Sequence, residues 1–144
     1  MRTPFFFAIA LCSLFSARAA EPLSSAPVPA PHPLIGSWSW SLPGKPCTEQ
    51  LRYSANGMRQ SSSGDETTQG HYEVAAIPSL IGFYRLTETV TDGNGKRDCS
   101  GDLHEAPGKA VTRFIQFSPS KDQLIVCREE SLKACFGPLK HLPG

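Results

Sequence analysis

Apolar and small polar residues alternate one for one over Gly36-Ser37-Trp38-Ser39-Trp40-Ser41-Leu42, the most regular stretch of the 144-residue chain. Side chains on a β-strand point alternately to opposite faces, so Trp38, Trp40 and Leu42 share one face and Ser37, Ser39 and Ser41 the other. Two indoles on one side mark it as the core face. The breaker cluster Pro43-Gly44-Lys45-Pro46 ends this strand. Residues 47–54 alternate again, with Cys47, Glu49, Leu51 and Tyr53 together. Asn56-Gly57 predicts a tight turn, because both residues tolerate positive φ. Residues 58–62 return as an exposed strand, and the polar residues 63–70 read as a loop.

Residues 71–77 and 83–91 continue the pattern, the second with Tyr84, Leu86, Glu88 and Val90 on one side. Asp92-Gly93-Asn94-Gly95 closes it, and residues 96–109 form the longest polar stretch of the folded part. A hairpin over 110–117 and 123–128 comes next, then a short C-terminal helical turn over 129–135 and a last extended piece over 136–139. No window of helical period reaches the length of an ordinary helix. Seven to eight short strands joined mainly by hairpin turns predict an all-β fold, an antiparallel barrel or sandwich, and a small meander barrel is preferred because closure leaves no edge to protect.

The ends of the chain change this picture in two ways. Arg2, the apolar run 5–15 and the small residues Ala17-Arg18-Ala19 have the layout of a secretory signal peptide over residues 1–19. The apolar run is far shorter than the roughly 20 residues a spanning helix needs, so no transmembrane segment is expected after cleavage. Prolines 22, 27, 29, 31 and 33 make residues 20–33 a semi-rigid linker, which leaves 34–144 as the folded domain. The expected location is periplasmic or secreted.

Removing Arg2 and Arg18 from the 14 basic residues leaves 12 against 13 acidic ones, which gives no electrostatic reason to expect nucleic acid. The cut also removes Cys12 and leaves Cys47, Cys99, Cys127 and Cys135. An even number of cysteines in an exported chain favours two disulfides, for which three pairings exist. Residues 127 and 135 flank a short turn, and 47 and 99 both follow turn-rich polar stretches that loops at one barrel end would bring together. The expected pairs are Cys47–Cys99 and Cys127–Cys135.

A Gly-x-Trp on the first strand, here Gly36, Ser37 and Trp38, followed by a meander of hairpins and a terminal helical turn, resembles the lipocalins and their relatives. The resemblance implies a barrel closed at one end by Trp38, with Gly36 beside it and a late-strand basic residue above it, for which Arg128 is the candidate. It also implies a cup for a small molecule. In size, export and disulfide use the chain is similar to the short barrels of bacterial periplasmic lysozyme inhibitors as well.

Chemistry is sparse. No Gly-x-Ser-x-Gly elbow occurs, the cysteines are assigned to bridges, and His32, His71, His104 and His141 are isolated along the chain, so no enzyme is expected. Asp92-Gly93-Asn94-Gly95-Lys96-Arg97-Asp98 starts like a calcium loop, but Lys96 stands where an oxygen ligand is needed and Arg97 where glycine is needed. No metal or other cofactor is expected. Glu49, Glu88 and Arg113 sit on the faces their strands otherwise give to apolar residues. Charges there line a cavity, form a buried pair or reach solvent at a strand end, because burial without a partner is costly. The expected function is an exported binding protein for a small apolar or amphipathic ligand, with Trp40, Glu49, Tyr53, Leu86, Glu88 and Arg113 as candidate ligand-binding residues. The alternative is a module that binds an exported protein through loops such as 61–70 and 92–109.

Overall fold

The computed structural model describes residues 30–103 and 107–144, so the expected signal peptide and the linker up to residue 29 lie outside the described residues. Eight antiparallel strands succeed one another: β1 (Gly36–Ser41), β2 (Thr48–Tyr53), β3 (Met58–Ser63), β4 (Glu66–Val74), β5 (Tyr84–Gly93), β6 (Ala110–Phe117), β7 (Gln123–Cys127) and β8 (Cys135–Leu142). Each pairs with the next and β8 pairs back with β1, which closes the barrel. Closure leaves no strand edge running the length of the sheet.

Register places the core. Trp38 stands opposite Leu51, and Trp40 opposite Glu49, so the Trp face of β1 is the inner face. One end is filled. Leu34, Trp38, Leu86, Ile115 and Leu139 are all essentially inaccessible to solvent, with Leu124 packed among them. Trp38 is fixed from three sides: its Nε1–H donates to Leu34 O at 2.9 Å, and its ring lies 4.7 Å from His141 and 5.8 Å from Phe117. Arg128 is not its cover, because Arg128 lies just past β7 at the opposite end of that strand; the imidazole of His141 occupies that role instead. The final residues of the expected linker are packed as well, with the His32 ring 4.9 Å from Tyr84.

Both disulfides gather at the other end. Cys47–Cys99 ties the β1–β2 connection to the β5–β6 connection, with Cα atoms 5.7 Å apart, and Cys127–Cys135 bridges β7 and β8 at 4.0 Å. The pairing is the one expected from the turns, and disulfides are at home in an oxidising compartment. Among the described residues no helix is long and apolar enough to cross a membrane. Outward positions such as Gln50, Arg52, Gln60, Gln69 and Glu73 are polar and exposed, the reverse of a lipid-facing strand.

Four further expectations need correction. The polar residues 66–70 are not loop but the first part of β4, with Glu66, Thr68 and Gly70 facing inward. The strand at 58–63 is not exposed throughout, since Arg59 and Ser63 are buried. No helical turn precedes the C-terminus: residues 128–134 form a hairpin loop, because Cys127 and Cys135 are direct cross-strand partners. The segment after this loop is not a short extended piece but the eight-residue strand that closes the barrel.

Candidate functional site

Above the apolar plug the barrel interior turns polar. Tyr53 ends β2 opposite Arg59 of β3, and Arg59 in turn faces Gly70 of β4. Glu88 of β5 stands opposite Tyr72 of β4. These registers converge on one carboxylate. Tyr53 Oη donates to Glu88 Oε1 at 2.8 Å, and Arg59 Nε lies 3.0 Å from the same oxygen. Arg59 Nη1 also donates to Thr68 Oγ1 at 3.1 Å, which shares a hydrogen bond of 2.6 Å with Ser61 Oγ. Burial, and then the neighbouring Glu88 carboxylate, push the Tyr53 phenol well above its ordinary value of 10.0, so it stays a donor at any physiological pH.

Glu49 belongs to a separate cluster nearer the rim. It accepts from Ser63 Oγ at 2.8 Å, and Ser63 Oγ accepts from the Cys99 amide at 3.0 Å. This pins the disulfide-bearing loop onto β3. Glu66 is buried opposite Ser63.

A hollow of about 640 Å³ opens beside the Glu88 cluster, with Arg59, Glu88, Val90, Val111 and Arg113 as inner walls and Leu103 and Lys109 toward the rim. A smaller hollow of about 390 Å³ adjoins it, walled by Val126, the Cys127–Cys135 bridge and Phe136. Arg113 and Arg128 line both, so they stand at the junction. Strand lengths create this opening. β7 pairs with β6 only from Phe114 onward, whereas β6 pairs with β5 from Ala110, so residues 110–113 have no neighbour on the β7 side. The wall has a notch there.

The six candidate residues are thus divided. Glu88 and Arg113 line the hollow, and Tyr53 supports Glu88 from behind. Leu86 is part of the packed plug beside Ile115. Trp40 is half-buried near the rim, its ring 5.3 Å from Phe136. Glu49 holds the loop rather than facing the hollow. Reasoning from the sequence missed Arg59, Ser61, Thr68 and Arg128 as site residues. The run Met58-Arg59-Gln60-Ser61-Ser62-Ser63 has no apolar alternation to reveal a face, and only its register against Tyr53 turns Arg59 inward.

A further depression of about 650 Å³ lies on the outer surface of β1 to β5, lined by Gln50, Arg52, Gln60, Gln69 and Asp92 among others. Its charged side chains, Arg52 and Asp92, are exposed. Among the described residues no group of histidine, cysteine and carboxylate side chains has metal-binding geometry.

These features define a closed eight-stranded antiparallel barrel, disulfide-tied at a mouth whose polar hollow opens through the wall between β6 and β7. Comparison with protein-family models, with characterised proteins and with solved structures returned no match.

Proposed function

We propose that the protein is an exported, lipocalin-like binding protein, not an enzyme, that holds a small amphipathic molecule at the barrel mouth. The observation that carries the reading is a hollow of about 640 Å³ above a filled plug, within the size range of small-molecule sites. Its walls combine valines with a preorganised charged group, which suits a ligand with one apolar and one polar side. A wholly apolar ligand fits less well, because it would have to lie against the Arg59–Glu88 pair. Two disulfides beside the mouth would keep the opening in shape outside the cell.

Titration with short-chain alkyl amphiphiles, monitored by tryptophan emission, tests this. Trp38 is sealed in the plug and Trp40 borders Phe136 near the mouth. A saturable change that vanishes in Trp40→Phe is the expected result, and no saturable change with any of them would overturn the reading.

The exposed Ile77, Leu80 and Ile81 in the β4–β5 connection favour the alternative, a module that binds an exported protein. Their location at the plugged end makes the two readings separable. Leu80→Ser would abolish partner binding under the alternative and leave amphiphile binding intact under the first.

A further inference from the structure

Among the described residues the charges at the notch do not balance. Glu88 is the sole carboxylate among the described residues lining the hollow, and it is already engaged by Arg59 and Tyr53. Glu88 is a diagonal neighbour of Arg113 across β5 and β6, yet its contacts run the other way, toward β2 and β3. Among the described residues no carboxylate pairs with Arg113 or Arg128. Both guanidinium groups therefore remain available at the junction of the two hollows.

Arg113 is half-buried on the inner face of β6, so its charge is less screened than that of a surface arginine. Beside it stand apolar walls, Val90 and Val111 on one side and Val126 and Phe136 on the other. Below it the barrel is closed by Leu86 and Ile115, which rules out a long chain threading the interior.

From this arrangement we propose that the mouth selects a compact amphiphile with an anionic head group, received by Arg113 and Arg128 while its apolar part lies against the valines. The inference rests on the ligand-cup reading and gives it a chemical class. Guanidinium groups bind carboxylate and phosphate oxygens through paired, charge-assisted hydrogen bonds, which are stronger than neutral ones and carry geometric selectivity. The stretch 110–113, paired with β5 but without a β7 partner, leaves room for the head group to approach from the side.

Calorimetric titration of the intact, oxidised protein with decanoate and decyltrimethylammonium below their micelle concentrations, and with decanol below its solubility limit, tests this. Decanoate is expected to bind about ten-fold tighter than decanol, with the cationic probe weakest. Arg128→Gln, at an exposed loop position that should not affect folding, and Arg113→Gln should each weaken decanoate several-fold and leave decanol unchanged. Added salt should narrow the gap. Equal affinity for decanoate and decanol, or decanoate binding untouched by either substitution, overturns the anionic selectivity and leaves the cup standing. Failure of all three probes to bind overturns the cup and this inference with it.

Discussion

Trp38 shows how much a single side chain decides in a small barrel. It has no accessible surface, its indole N–H is satisfied by Leu34 O, and His141 packs edge-on and Phe117 at a tilt against it. Trp38→Ala is expected to cost about 3–5 kcal/mol, from lost burial and the cavity left behind, as read by urea denaturation. The Arg59–Glu88 pair obeys a different rule. Their side chains are 7% and 19% exposed, so each would be left nearly dry without the other. Arg59→Met and Glu88→Met should each cost about 3 kcal/mol, the low end for a broken buried pair because the hollow admits some water. The double variant should cost clearly less than the sum. Additive losses in the double-mutant cycle would show that the two charges are not coupled.

At the scale of elements, β4 is the strand that sequence periodicity concealed. Glu66, Thr68 and Gly70 face inward where a simple core would present apolar groups, so the alternation that marks β1 is absent. Hydrogen bonds replace hydrophobic pattern here, through Arg59, Ser61 and Thr68. Gly70 has a further reason to be glycine. The register shifts between Gln69 and Gly70, and a Cβ at Gly70 would come within 1.9 Å of Thr89 O on β5. Backbone cannot yield as a side chain does. Gly70→Ala should therefore destabilise by about 3 kcal/mol or more, the top of the range for overpacking, and calorimetric melting checks it.

For the whole molecule, the two bridges close very different lengths of chain. Cys47–Cys99 spans a sequence separation of 52 and Cys127–Cys135 one of 8. From the entropy of loop closure, losses of about 4 kcal/mol and about 2.5 kcal/mol are expected when each is replaced by two serines. Denaturation midpoints of the two variants should fall in that order. Acid should also loosen the plugged end. Burial is the main cause holding the His32 imidazole below its ordinary 6.5, with a hydrogen bond with the Ala75 backbone opposing and the Lys121 charge adding. His32 Nδ1 accepts from the Leu34 amide at 3.1 Å, a bond that needs the unprotonated nitrogen. A lowered folded-state value means that this contribution is complete above 6.5 and is lost as pH falls from there toward the folded-state value. Melting temperature should drop as the pH falls below about 6.5 in the wild type, and His32→Gln should flatten that slope.

Much of this barrel is legible in the chain itself. The alternation around Trp38 and Trp40 determined the inner face of β1, Asn56-Gly57 determined a turn in which Gly57 takes a φ of 82°, and the spacing of turns pointed to both disulfides. These are local features, set by side-chain period and backbone tolerance, and they need no knowledge of distant neighbours. The mouth is another matter. Glu88 and Arg113 stood out as charges on apolar faces, yet their partners did not, because Arg59 and Thr68 lie on strands whose sequences carry no face. Arg128 lies at the opposite end of the barrel from the one the lipocalin resemblance implies. Only the register around the closed sheet turns Arg59 inward, and only the shortness of β7 against β6 opens the notch where Arg113 and Arg128 meet. Closure of the barrel is a condition on all eight strands at once, and so the site it creates is written in no single stretch.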